Sequence, residues 1–353
     1  MPSDDIATEP AEPRTDTGRG HRTARASSRR EWLLRALVLA LVTALAGWLG
    51  QALGDPGDLV SPFAPATGVA LAVLVRFGPT FAPALWLGQF AALLAAGAGW
   101  PLALALTTGG LLSLLLSAFW LARSDFGPRL QQPRDIWLFT GAVLCGGLVL
   151  SAANAAVWLM LSGRVALAEL TEVWLSWWVG EALGVLLIGV GLLVYNRVAW
   201  RAAWQPQQGL GNAALLLAGI LSAAVGAAAL ASGRPTLLPV MLLPLVALVW
   251  IVLRAGVSLG AGFVGAMSLL LALAWSSSWP PLHTLASTTG TAPLWGFLLV
   301  AQALVLVVHL LGGRARAAAQ RAELALAVAD LGVAEWNASG GAGFTSARRR
   351  QLH

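Results

Sequence analysis

Residues 136–161 read IWLFTGAVLCGGLVLSAANAAVWLML, a run of 26 residues without one charged side chain. An α-helix rises ~1.5 Å per residue, so about twenty apolar residues cross the ~30 Å hydrocarbon core of a bilayer. Similar runs recur along the chain, in which 58% of the 353 residues are hydrophobic and only 11% are charged. A soluble domain of this size could not bury so many apolar side chains. The sequence therefore predicts an all-α, polytopic integral membrane helix bundle.

Ten apolar runs are expected to span the membrane. They cover residues 32–53, 61–75, 80–96, 100–122, 136–161, 173–195, 212–231, 236–253, 257–275 and 294–311. The second and eighth runs are short and contain proline. If these two pair with their neighbours as re-entrant hairpins, the number of spans falls to eight. Ten spans is the preferred count, and eight stays open.

The arginines are distributed unequally between the two sides of the predicted membrane. The chain carries 22 arginines, no lysine and 16 acidic residues, which gives a net charge of +6. With the amino terminus in the cytoplasm, 20 arginines fall in cytoplasmic segments, and only Arg164 and Arg234 fall outside. Because cytoplasmic loops are enriched in Arg and Lys, this split predicts a multi-pass membrane protein with both termini cytoplasmic. Topology explains the basic residues, so nucleic acid is not expected as a partner.

The composition divides the chain into four segments. Residues 1–30 are polar and predict a disordered cytoplasmic tail, and residues 31–312 form the membrane-embedded bundle. Residues 313–331 are rich in Ala and Arg and predict a stiff connector helix that continues the tenth span into the cytoplasm. Residues 331–337 predict a short strand that ends in a Gly-rich turn, and residues 332–353 are expected to be too short to include an output domain.

Polar side chains inside the apolar runs are the candidates for function, because burying them in a bilayer is costly. Glu181 is the only acid well inside a run, and Asn154, Gln89 and Thr67 lie in three other runs. Counted from the outer ends of their spans, all four lie roughly 9–12 Å below the outer surface. They are expected to form one outward-facing ligand site, with Glu181 as the anchoring charge. The alternative is that the neutral residues join helices by hydrogen bonds and that Glu181 is a paired or neutralised acid.

Two tryptophans lie beside Glu181 in the sequence. Trp177 and Trp178 are deeper in their span than the other tryptophans, most of which fall near span ends, where indoles settle at the membrane interface. Both are therefore expected to line the same pocket.

Patterns typical of catalysis or metal binding are missing from the sequence. Its one cysteine, Cys145, lies inside an apolar run, and its 4 histidines are far apart. We find no Walker loop, nucleophile elbow, kinase signature or cyclase signature. The chain is expected to have no enzymatic activity, no catalytic residue, no cofactor and no metal site.

At several of these residues the chain resembles a known bacterial module, the membrane-associated sensor domain of the first MASE type. The first matching stretches are residues 63–68, FAPATG, and residues 76–78, RFG. A second motif is residues 83–89, PALWLGQ, and the central one is residues 178–186, WVGEALGVL. The resemblance extends over residues 32–311.

The chain departs from the family pattern at a few positions. Phe63 and Ala64 replace the usual Trp-Pro pair, Gln89 stands where Asn is common, and a Pro that usually follows the central motif is absent at Gly189 and Val190.

The resemblance implies the sensory input module of a histidine kinase or a diguanylate cyclase in the bacterial plasma (inner) membrane. Residues 322–337 resemble the opening of a PAS domain, which commonly follows in this family. Residues 332–353 are therefore expected to be the truncated start of a PAS domain, and the output domain is expected to be missing. The implied partners are the lipid bilayer and an unidentified small-molecule or membrane-protein signal, with a homodimer as an open alternative. The rival interpretation is a secondary transporter that uses Glu181 as a coupling-ion or substrate site. A third is a decayed gene product without a present role.

Overall fold

The computed structural model describes residues 17–54, 59–231, 243–276 and 292–328, and every regular element in these ranges is helical. The helices are α1 Thr17–Gln51, α2 Pro65–Phe77, α3 Ala82–Ala95, α4 Trp100–Arg123, α5 Pro133–Leu161, α6 Leu167–Val194, α7 Arg197–Ala203, α8 Pro206–Ala231, α9 Leu243–Ala255, α10 Val257–Ser276 and α11 Ala292–Val328. The predicted helical membrane bundle is thereby confirmed as a class.

Six of the described stretches are long and apolar enough to cross a bilayer. They are Arg29–Gln51, Pro65–Ala95, Trp100–Arg123, Pro133–Leu161, Leu167–Val194 and Leu294–Leu324. Three shorter apolar helices accompany them, Gln208–Ser222, Leu243–Ala255 and Val257–Leu273. The chain is therefore a multi-pass membrane protein, while the count of ten spans and the location of the termini stay predictions.

The stretch Pro65–Ala95 folds back on itself. Gly78 has a φ of 73°, a conformation that glycine adopts without steric cost, and a 3-10 turn over Gly78–Phe81 joins α2 to α3. Phe81 packs edge-on against Phe77 and stacks on Trp32 at this end of the bundle, with ring centroids 6.2 Å apart in each pair. α2 therefore runs antiparallel to α3, as the sequence predicts from residues 76–79.

Arg76 ties the end of α2 to the end of α6. Its guanidinium donates hydrogen bonds to the carbonyl oxygens of Leu192 at 2.7 Å and Tyr195 at 3.0 Å. The last carbonyls of a helix have no partner within the helix, and an arginine can satisfy them while its charge favours the negative end of the helix dipole.

Arg76, Arg123 and Arg129, at or just beyond the ends of α2 and α4, lie at one end of the bundle, here named the arginine end. Pro79 and Pro128 border one apolar groove there, and the Arg129 carbonyl lies 3.2 Å from Nε2 of His309. Arg164 lies at the opposite end, where it donates to the Gly97 carbonyl at 3.1 Å.

The outer surface of the bundle is apolar. A stripe of leucines at every fourth position of α1 is more than half exposed, namely Leu33, Leu37, Leu41 and Leu45. Such a stripe would be unfavourable in water over this length, and it is the surface that hydrocarbon chains solvate.

Glycines let α2 and α6 approach closely. A Cβ at Gly184 would overlap the Ala64 carbonyl, and one at Gly68 would overlap the Gly184 carbonyl. The Ala64 amide also donates to the Gly180 carbonyl at 2.9 Å. We name Gly68, Gly180, Gly184 and Gly189 the glycine seam. Small residues spaced in this way let helix backbones meet in membranes.

Two helices contain π-helical stretches. One is Thr140–Gly147 in α5, and the other is Val185–Gly189 in α6, which directly follows the glycine seam residue Gly184. The second stretch packs against α2, α10 and α11. π-helical turns are rare and are often found at functional sites.

The four predicted segments relate to the helices as follows. α1 begins at Thr17, inside the segment predicted as a disordered tail, and residues 1–16 lie outside the described residues. α11 runs without interruption from the apolar bundle through residues 313–328. The predicted PAS-like start, residues 332–353, lies outside the described residues.

Replacing Gly184 by Ala tests the glycine seam. Because the added Cβ would overlap backbone, we expect a loss of about 1–3 kcal/mol in the free energy of unfolding. The control is Gly296→Ala in α11, where a Cβ would meet nothing within 4 Å and which should be neutral or slightly stabilising. Thermal unfolding of the purified protein in detergent measures both, and equal behaviour of the two variants would contradict the seam.

Candidate functional site

Glu181 is a buried acid in the middle of α6. Its side chain is 7% exposed, and Ser151 of α5 donates a hydrogen bond to its Oε1 at 2.8 Å. Its Oε2 has no hydrogen-bond partner among the described residues. The Trp177 indole lies close to the carboxyl group, but its N–H does not reach hydrogen-bond geometry. Burying a carboxyl group is costly, so one half-satisfied acid within a membrane helix is a strong sign of function.

Glu181 lines a cavity of about 40 Å³ to which all six helices from α1 to α6 contribute. One water molecule needs roughly 10–15 Å³ measured in this way, so the cavity has room for about three waters or one small ligand. Its polar lining consists of Thr43, Thr67, Gln89, Thr107, Ser151 and Glu181 together with the indoles of Trp86 and Trp177.

Two of the four hydroxyl groups of the lining donate their hydrogens to other groups of the protein. Thr43 donates to the Leu39 carbonyl of its own helix at 2.7 Å, and Ser151 donates to Glu181. A hydroxyl has one hydrogen and two lone pairs, so these two groups retain only acceptor capacity. Thr107 Oγ1 is buried and has no partner within the described part of the chain.

Two indoles complete the lining. Trp177 Nε1 is buried and lacks a partner among the described residues. Trp86 donates to Thr108 Oγ1 at 3.1 Å and stacks on Phe90, with ring centroids 4.9 Å apart. The site therefore combines one carboxyl group, several oxygen acceptors and aromatic faces.

The structure brings four of the six predicted site residues to one cavity, namely Glu181, Gln89, Thr67 and Trp177. Asn154 does not line the cavity. Its Nδ2 donates to the Ala105 carbonyl at 3.4 Å, and its amide packs where a Cβ of Gly109 would otherwise lie. Asn154 therefore forms an interhelical hydrogen bond, which is the alternative role that the sequence leaves open for the neutral polar residues.

Trp178 also lies elsewhere. Its Nε1 donates to the Leu144 carbonyl at 2.8 Å, and its ring packs against the main apolar core. Leu144 belongs to the π-helical stretch of α5, so this indole joins α6 to α5 rather than facing the cavity.

The sequence argument missed Thr43, Trp86, Thr107 and Ser151. Ser and Thr are common in membrane helices, where they bond to the carbonyl four residues earlier, and such residues carry no sequence signal for a site.

Among the described residues, no group of three or more His, Cys, Asp or Glu side chains lies close enough to hold a metal ion.

Comparison with known proteins gives one match. The model of the MASE1 family matches residues 32–316, which is most of the chain. No curated protein matches, and no solved structure matches.

Ser151→Ala tests the hydrogen bond to Glu181. The change leaves the buried carboxyl group without a partner in the protein, so we expect a loss of about 1–3 kcal/mol in the free energy of unfolding. In the Glu181→Leu background the same change should cost far less, with a coupling energy of at least about 0.5 kcal/mol. Ser162→Ala, at the exposed end of the same helix, is the control. Additive effects in the double-mutant cycle would refute the bond.

Proposed function

We propose that the cavity around Glu181 is the signal-binding site of this chain, which belongs to the MASE1 family of membrane-associated sensor domains. The observation that carries the proposal is the buried Glu181 carboxyl group, with one oxygen unpaired among the described residues, at a cavity shared by six helices. An occupant of such a cavity touches six helices at once and can therefore bias how they pack.

The route from the cavity to the cytoplasm starts in α6. Glu181 is followed by Gly184 of the glycine seam and then by the π-helical stretch Val185–Gly189, which packs against α11. α11 continues to Val328 as one helix. A signal molecule can shift the packing of these helices only if it binds two arrangements of the helices with different affinities. We propose that α11 transmits the difference.

In this proposal the output is of the histidine kinase or diguanylate cyclase type and is carried by a separate or following domain. The module itself has no catalytic role. Its partners are the lipid bilayer, a small molecule or membrane protein as signal, and a second copy of the chain if the output domain works as a dimer. Both termini face the cytoplasm of a bacterial inner membrane.

A second candidate is a secondary transporter with Glu181 at its coupling-ion or substrate site. The observation in its favour is the buried non-helical segment 59–64, in which Leu59 is 2% and Phe63 is 0% exposed. Non-helical backbone at membrane depth is frequent beside transporter sites. The connector at the end of α11 favours the sensor, because a transporter rarely needs such a helix.

A fusion of residues 1–330 to a diguanylate cyclase tests the sensor. We expect Glu181→Gln to change the cyclase output in cells by about fivefold or more, because coupling between distant sites is typically of this size. Glu172→Gln is the matched control, since Glu172 lies on the same helix but is exposed. Unchanged output in the Glu181 variant would count against the sensor site. Proton-driven uptake into proteoliposomes that Glu181→Gln abolishes would favour the transporter.

Cysteine labelling tests the orientation. In a Cys145→Ala background, Ala166→Cys lies at the end that carries Arg164, and Gln131→Cys lies at the arginine end; both positions are exposed. A membrane-impermeant maleimide should label the first in intact cells and the second only after permeabilisation. The reverse pattern would place the termini outside.

A further inference from the structure

We infer that the cavity around Glu181 binds a small monovalent cation. The inference rests on the proposed function for its place in signalling, but its chemistry stands on the lining of the cavity alone. Glu181 is more than nine-tenths buried, lines the cavity and has an oxygen without a hydrogen-bond partner among the described residues.

Charge balance selects a single positive charge. Glu181 is the one acid among the residues that line the cavity, and none of those residues is Arg, Lys or His. A buried carboxylate without a counter-charge is unfavourable at this depth, and either a proton or one monovalent cation neutralises it. A divalent ion would leave an excess charge, and Ca²⁺ sites in proteins use six to eight oxygen ligands, usually with several carboxylates.

The lining offers the ligands that such a cation prefers. Hard cations bind oxygen, and the cavity presents the carboxyl group of Glu181 and the hydroxyls of Thr43, Thr107 and Ser151. Thr43 and Ser151 have already used their hydrogens as donors, so they face a ligand with lone pairs only. An anion would meet these lone pairs and the carboxylate, which disfavour it.

Two further features limit the size and type of the cation. The volume of about 40 Å³ admits a bare or partly hydrated alkali ion or ammonium, but it is too small for N-methylglucamine. Trp86 and Trp177 also border the cavity, and indole rings attract cations.

The purified full chain in detergent is the test sample. Its melting temperature is measured in NaCl, KCl, NH₄Cl and N-methylglucamine chloride at fixed pH and ionic strength. Binding to the folded state adds RT ln(1 + [L]/Kd) to the free energy of unfolding, so the melting temperature keeps rising with the logarithm of the cation concentration once that concentration exceeds Kd. We expect at least one small cation to give such a concentration-dependent rise, of about 3 °C or more over N-methylglucamine. Comparison of the three salts identifies the preferred ion.

Variants test whether the cation-dependent rise in melting temperature arises at Glu181. Glu181→Gln should abolish the cation-dependent rise, and the matched control Glu172→Gln should retain it in full. If the Glu181 variant does not fold, Thr107→Val removes one ligand oxygen with little change of shape and should raise the apparent dissociation constant about tenfold or more.

Two results would overturn the inference. These are the same melting temperature in all four salts, and a rise that Glu181→Gln leaves intact. The first result indicates a cavity that holds only water. If the salts have no effect while Glu181→Gln still changes the cyclase fusion, cation binding is refuted and the sensor proposal stands. If a cation binds but Glu181→Gln leaves the output of the cyclase fusion unchanged, the sensor proposal fails and the cation site stands.

Discussion

The rest of the structure depends on the close contact between α2 and α6. Lipid is as apolar as leucine, so helices in a bilayer gain little from burying apolar side chains and associate through packing and hydrogen bonds. Here Gly68 and Gly184 let the two backbones touch, and the Ala64 amide donates to the Gly180 carbonyl. Glu181 follows Gly180 directly. The packing that holds the bundle together therefore also fixes where the buried acid lies.

Part of the polar lining of the cavity is satisfied by hydrogen bonds within the protein. Thr43 donates to its own helix and Ser151 donates to Glu181, so these two hydroxyls keep only acceptor capacity. The polar groups of Thr107 Oγ1, Trp177 Nε1 and Glu181 Oε2 are left unpaired among the described residues. A protein retains such unpaired buried groups at a cost in stability, and natural proteins accept that cost mainly at functional sites.

Sequence reasoning predicted the features that follow from length and charge. The length of the apolar runs predicted a membrane protein. The Arg-Phe-Gly sequence that ends at Gly78 predicted the turn between α2 and α3. The depth of a residue in the membrane can be counted from the sequence. The direction in which its side chain points around the helix axis was not predictable, because that direction depends on how the helices pack. Asn154 lies one turn from Ser151 and meets Gly109 instead of the cavity. The π-helical stretch Thr140–Gly147 shifts the register of α5 and leaves no mark in the sequence.

The position of the second π-helical stretch bears on how a buried acid could affect a distant helix end. Val185–Gly189 lies between the cavity and the arginine end and packs against α2, α10 and α11. π and α turns differ by one residue in hydrogen-bond register, so a change between them is discrete rather than gradual. Packed interfaces respond to such steps by moving between distinct arrangements. An occupant beside Glu181 that favours one register would therefore change the surface that α6 presents to α11. A sensor requires such a change, and a hydrogen bond with a purely structural role would not produce it.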